Sequence, residues 1–250
     1  MADRRCRPPK LVRVTRRVSA VWHVAPEVAL KWSHQYDFAR LTAEIGANID
    51  RYQTATDADA DIFFTTLKAE LGDSSWDTFR PYFRYRETMQ FFPTFQSLDV
   101  AFHEFAVGFS SGIGIRNNQK IAYADSDAPG DVSFNLDMRV GKRLSDIADY
   151  DRTFFDTRLT GAYYFSDKWR IEASPKFTAR WYDNYFGDRR TDYRPGADVA
   201  LIWKPDWLRR FASHSELSLN FNIERNYSNL PGSSYKLFEI GPTVEFRVKY

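Results

Sequence analysis

The chain has 250 residues and carries 35 Lys and Arg against 33 Asp and Glu, a net charge of +2. That near balance gives no basic excess for a nucleic-acid partner. A mean hydropathy of −0.52, with no apolar run of about 18 residues, excludes a helical membrane protein.

Two further features of composition narrow the class. Aromatics are abundant, with 21 Phe, 14 Tyr and 7 Trp, and 250 residues suffice for one large all-β domain. The single Cys6 excludes an internal disulfide.

Residues 1–19 are Arg-rich and lack the apolar h-region of a secretory signal. They are read as a basic segment, disordered or the product of a mis-assigned start, and residues 20–250 as a single domain. From there on, apolar and polar residues alternate with a period of two, the signature of half-buried strands. Val24, Pro26, Val28, Leu30 and Trp32 oppose Glu27 and Lys31; Leu41, Ile45 and Ile49 oppose Arg40, Glu44 and Asp50. Phe63, Leu67 and Leu71 oppose Lys68 and Glu70, and Phe79, Pro81, Phe83 and Tyr85 oppose Arg80, Arg84 and Arg86. Phe105, Val107 and Phe109 oppose Glu104. Phe134, Met138 and Val140 oppose Asp137 and Arg139, and Leu159 and Tyr163 oppose Asp156 and Arg158. Phe177 and Trp181 oppose Lys176 and Arg180; Val199 and Leu201 oppose Asp198; Leu219, Phe221 and Ile223 oppose Glu224. The last strand, KLFEIGPTVEFRVKY, sets Phe238, Ile240, Val244, Phe246 and Tyr250 against Glu239, Glu245, Arg247 and Lys249.

A soluble barrel or sandwich buries its apolar face. Here the polar face carries so many charges of both signs that it suits a barrel interior, with the apolar face outward. Short connections (33–37, 72–77, 116–118, 166–168) alternate with longer ones (53–60, 88–99, 142–151, 186–192, 226–235), as short periplasmic turns alternate with longer external loops. The exception is 205–214, where Trp207, Leu208 and Phe211 suit a short interfacial turn. Trp32, Tyr163, Phe165, Trp169, Trp203 and Tyr250 mark one aromatic girdle, and Trp181, Tyr185 and Tyr227 the other. The expected fold is an all-β, antiparallel up-and-down transmembrane β-barrel of about twelve strands, with ten as the alternative. The twelfth strand is supplied either by residues 11–18, with Val12, Val14 and Val18, or by 119–124 as a separate strand split from 133–140 by the 125–131 loop. Pro26, Pro81 and Pro175, each lacking a ladder donor, predict bulges or interrupted bonds.

Glu239, Gly241, Val244, Phe246 and the terminal aromatic Tyr250 resemble the C-terminal assembly signal of Gram-negative outer-membrane β-barrel proteins. That resemblance covers the last strand, with Tyr in place of the usual Phe. It implies the bacterial outer membrane, a membrane-lipid environment, and the barrel-assembly machinery as partner. It identifies the class and no particular family.

Chemistry is sparse. Among His23, His34, His103 and His214 there is no metal-ligating spacing, and no nucleophile elbow or phosphate loop occurs. No metal or cofactor is expected. Asp57, Asp59 and Asp61 alternate, but the twelfth position from Asp57 is Lys68, so the calcium-loop pattern fails. Ser111 and His103 share the outward face, a pairing a lipid-facing hydrolase would need, eight residues apart. The functional expectation is a passive, non-enzymatic channel for an unspecified small solute. Its lumen would be lined by Arg80, Arg84, Arg86, Glu44, Glu70, Asp137, Arg139, Arg158, Lys176, Arg180, Glu224, Glu245 and Arg247. The alternatives are a plugged structural or interaction barrel (adhesin or export accessory), a rim-site enzyme, or a soluble barrel for a lipophilic ligand.

Overall fold

The computed structural model describes residues 23–24, 27–52, 59–72, 79–123, 126–207 and 214–247. The basic segment 1–19, Asp57, Leu208, Phe211 and Tyr250 lie outside them. Thirteen strands form one sheet. They are β1 (His23–Val24), β2 (Glu27–Gln35), β3 (Ala39–Tyr52), β4 (Ala60–Leu71), β5 (Arg80–Phe91), β6 (Leu98–Arg116) and β7 (Gln119–Ile121), then β8 (Val132–Ser145), β9 (Arg152–Tyr164), β10 (Trp169–Tyr185), β11 (Asp188–Trp203), β12 (His214–Ser228) and β13 (Tyr235–Arg247).

Eleven of them are long and each pairs antiparallel with the next, from β2 at one end of the order to β13 at the other, with β7 set aside on β6. β1 pairs with β3 in the register that β2 continues, His23 opposite Tyr52 and Glu27 opposite Asn48. This is the all-β up-and-down architecture of the barrel class, and the separate short strand at 119–121 is one of the two sources expected for the twelfth strand; the other, 11–18, lies outside the described residues.

The two faces separate as the alternation requires. Outward side chains are apolar and open: Val28 is 72% exposed, Phe238 65% and Val107 56%. The opposite, polar parity is covered. Phe64, Tyr82, Phe154 and Tyr182 are buried there, and so are Glu104, Ser133, Asp192 and Asn226. An apolar belt this extensive is unlike a water-facing surface, and each of the eleven long strands contributes to it. Burial of the polar parity from β3 to β12 means the sheet curls with its charged face concave. Trp169 and Trp203 stack directly across β10 and β11, centroids 5.5 Å apart, and Tyr163 meets Phe165 edge-on at 5.0 Å. Such pairs contribute about 0.5–1.5 kcal/mol each and gather at the end with the short turns.

Two local expectations are corrected. Residues 186–192 are not a long connection: Phe186 (φ 51°) and Gly187 (φ 92°) close a two-residue hairpin, and β11 begins at Asp188. Positive φ at both central residues matches the twist of the flanking strands. Pro81 makes neither a bulge nor a break: it sits opposite Phe109 in an unbroken register. Pro175 does interrupt the β9 ladder, as expected, which resumes unshifted from Ala173–Gly161 to Lys176–Arg158. The bulges fall instead at Gln90/Phe91 and Tyr182/Tyr185, at the strand ends beside connections.

Candidate functional site

The inward face is a mesh of ion pairs. Long side chains from strands two apart meet over the strand between them, which a concave face allows. Arg84 on β5 and Arg143 on β8 both bond the buried Glu104 on β6, the latter at 3.0 Å. Tyr82 donates to Asp137 at 3.0 Å, and Arg139 pairs with Asp156 at 2.7 Å. Asp198 accepts from Arg158 and from Lys176, the latter at 2.8 Å; Lys176 also reaches Asn222, which donates to Glu239 at 2.7 Å. Arg170 grips Glu216 with two parallel bonds at 2.9 and 2.8 Å, the strongest geometry such a pair has.

The expected lumen residues therefore sort by partner. Asp137, Arg139, Arg158 and Lys176 belong to this mesh, as do Arg84 and Glu70, the latter bonded by Lys68 at 2.9 Å. Glu224 accepts from Tyr235 at 3.1 Å. Arg86 lies over the Phe64 ring at 4.6 Å rather than on a carboxylate. Glu44, Arg80 and Arg180 hold the same inward parity. Glu245 and Arg247 pair by backbone with Glu216 and His214; their side chains lie outside the described residues, as do those of Val244 and Phe246. Glu239 and Gly241 stand on β13 opposite Asn222 and Asn220.

At the short-turn end, the chain after β6 folds back over the inward face. Asn117 (φ 49°) and Asn118 (φ 63°) turn it into β7. It then crosses Gly112, where a Cβ would stand 2.8 Å from the Tyr123 ring, and Gly114, where it would strike Ser126. Only glycine permits that approach. Arg116 locks the far end through two bonds to Asp131, at 2.9 and 2.7 Å, and Asp131 also accepts from the Ala128 amide at 3.0 Å.

These bonds, Arg116 first, hold the Asp131 carboxyl below its ordinary pKa despite burial. A depressed folded pKa stabilises above the unfolded carboxylate range, and that stability is lost as pH falls through the folded value. Segment 122–131 is therefore expected to stay docked at neutral pH and release under strong acid. The Ala128 amide resonance reports it: its shift should be constant above about pH 4 and move only below that range.

At the other end the connections are knitted together. Tyr150, in the turn before β9, packs edge-on against Tyr185 and Phe186 at 6.2 and 5.7 Å. Asp61, 1% exposed, bonds Arg51 at 2.5 Å and the Phe95 amide at 2.9 Å. It is a structural tie rather than a cation ligand. No metal-binding group of three or more His, Cys, Asp or Glu occurs among the described residues.

The outward face holds one polar cluster with acid–base character. His103 on β6 stands directly opposite Glu87 on β5. Its Nδ1 lies 2.9 Å from the Tyr85 hydroxyl and 3.9 Å from the Glu87 carboxylate, and the Tyr85 ring packs on Phe105 at 5.0 Å. The side chains of His103 and Glu87 are 42% and 32% exposed, so the group is reachable. Lys142 on β8, opposite Phe105, lies diagonally from His103 on the same face. Below this level the outward residues of these strands are Phe83, Val107, Val140 and Phe109; above it stand Met89, opposite Ala101, and then the 92–97 connection. The cluster thus lies toward the long-connection end of the apolar belt. Ser111 shares the outward face of β6 with His103. Eight residues along one strand span about 27 Å, so Ser111 is not its partner. Glu87 and Tyr85 were missed because only strand register brings them to His103.

No protein-family model matches the chain, and no curated protein does. Among solved structures, LpxR from Salmonella typhimurium is similar, with 11% identity, a TM-score of 0.45, and 88% of each chain covered. The inward face, filled by paired charges instead of an open charged lumen, corrects the expectation of a passive, non-enzymatic channel and its porin-like transport role. At that identity no residue role passes from one chain to the other.

Proposed function

We propose that this chain is a bacterial outer-membrane β-barrel that works from its lipid-facing flank, as a hydrolase of lipid ester bonds at the membrane border. The observation that carries this is Glu87–Tyr85–His103: a carboxylate, a phenol and an imidazole gathered on a face that is mostly apolar. A polar group among lipid tails is costly. At the border of the belt it meets both lipid and water.

The geometry assigns roles. With Nδ1 protonated and donating to the Tyr85 hydroxyl, the lone pair lies on Nε2. The Glu87 carboxylate, 3.9 Å from Nδ1, stabilises the positive charge that the ring takes up when Nε2 accepts a proton. In this reading the nucleophile is water. His103 takes one proton from it, the hydroxide adds to the ester carbonyl, and the C–O bond to the alcohol breaks. The same proton then returns from Nε2 to the departing alkoxide. Lys142 is placed to hold the phosphate of a lipid headgroup. Partition into membranes, and assembly there through the signal around Glu239 and Gly241, belong to the same reading.

The test is fatty-acid release from glycerophospholipid or lipopolysaccharide vesicles by the refolded protein, against His103→Ala and Glu87→Gln. Release by the parent and its loss in His103→Ala is the expected result; equal release from both contradicts the reading.

A further inference from the structure

Arg225 on β12 and Lys236 on β13 are direct cross-strand partners of outward parity. Arg225 shares its face with Ile223 and Tyr227, and Lys236 shares it with Phe238 and Ile240, all of them exposed. The two cations are exposed as well. Like charges directly opposite each other on one sheet face are destabilising. In the interior such charges are answered by carboxylates, as Glu104 answers Arg84 and Arg143. Among the described residues neither Arg225 nor Lys236 makes an ion pair, and Arg225 instead lies over the Tyr227 ring at 4.4 Å.

The pair stands at the long-connection end of its hairpin, where β12 ends at Ser228 and β13 starts at Tyr235. A cation on the lipid face costs least near the interface, and a long side chain carries its charged head toward water. Tyr227 and Tyr193, opposite each other on β12 and β11 and both exposed, stand just above it. Aromatic rings suit the headgroup level. Below the pair, Ile223, Phe238 and Ile240 continue as bare apolar surface. The counter-ion that fits both surfaces is one that carries its own apolar tail. Two positive charges match a phosphate monoester, whose charge is about −2 at neutral pH.

We infer that Arg225 and Lys236 form a binding site for a membrane lipid with a phosphate-monoester headgroup. The phosphate oxygens accept from the guanidinium and the ammonium, the Tyr227 ring orients the guanidinium, and the acyl chains lie along Ile223, Phe238 and Ile240. The site rests on the membrane residence proposed above and not on the hydrolase. The hairpin of β12 and β13 shares no ladder with β5, β6 or β8.

A fluorescent probe on Ile240→Cys tests it, in the full chain with Cys6→Ser, refolded into vesicles of ether-linked phosphatidylcholine. Ether-linked lipids have no ester for the His103 cluster to cleave. Nitroxide-bearing chains are added on phosphatidic acid, a phosphate monoester, or on phosphatidylcholine, and the quenching is compared. Phosphatidic acid is expected to associate at least about fivefold more strongly, the scale of one Lys or Arg at a charged membrane surface. The double replacement Arg225→Gln and Lys236→Gln should bring the two lipids level while both still quench. A probe on Leu67→Cys, outward on β4, should show no such preference. Equal quenching by the two lipids at residue 240, a preference that survives the double replacement, or the same preference at residue 67 overturns the site and leaves membrane residence standing. Quenching by neither lipid overturns both.

Discussion

Replacing Glu104 with leucine is expected to destabilise the folded barrel by about 3–5 kcal/mol, the cost of breaking a buried ion pair from one side. Glu104 is 6% exposed and is the shared acceptor of Arg84 and Arg143, whose side chains are 15% and 23% exposed. Without it two guanidinium groups face each other across β6 with no counter-charge between them. The measurement is the temperature or urea concentration at which the detergent-refolded protein loses its compact form on a gel. The triple replacement Arg84→Met, Glu104→Leu and Arg143→Met should recover most of the loss, because no buried charge is then left unpaired. A Glu104→Leu protein within about 0.5 kcal/mol of the parent, as for an ordinary surface change, would mean that water rather than the ion-pair mesh fills the interior.

The second large effect is on chemistry. His103→Ala is expected to lower ester hydrolysis by about 10²–10⁴-fold, the usual contribution of a positioned general base. Glu87→Gln should act in the same direction and less strongly, since it removes charge stabilisation and leaves the base. Tyr85→Phe keeps the ring contact with Phe105 and removes only the hydroxyl held at Nδ1, so its loss measures orientation alone. All three positions face outward, away from the ion-pair mesh. The variants should therefore refold and migrate like the parent, which separates a lost activity from a lost fold. Full activity in His103→Ala, with folding intact, excludes this cluster as the working site.

Much of the fold was readable in the alternation because a bilayer imposes one rule on every spanning strand: apolar toward lipid, polar toward the interior. Phe83 against Arg84, Val107 against Glu104 and Leu159 against Arg158 all obey it, and the structure keeps the assigned faces. The rule fails where strands leave the apolar belt. Beyond it both faces meet polar surroundings, so β11 residues Asp188 to Asp192 look like a loop although they pair with β10. The same holds for Lys142–Ser145 on β8 and Asn226–Ser228 on β12, which extend the ladders into segments read as connections. Gly187, next to an aromatic and ahead of a charged run, was the available turn signal.

The site was less legible. Parity placed His103 on the outer face, yet its partners depend on which residue of β5 lies opposite. That register follows from the 92–97 connection and the bulge at Gln90/Phe91, and periodicity does not encode either. The pairing of interior charges over an intervening strand, such as Arg158 with Asp198, needs the curvature of the sheet.

The central claim is that the apolar parity meets lipid while the charged parity is enclosed. A nitroxide scan along β6, one label at a time from Ala101 to Ile113 in lipid vesicles, tests it most directly. Collision with oxygen, which concentrates in the bilayer, should peak at odd positions such as 105, 107 and 109 and fall at 104, 106 and 108. Maxima at the even positions, or no period of two along the strand, would contradict the account.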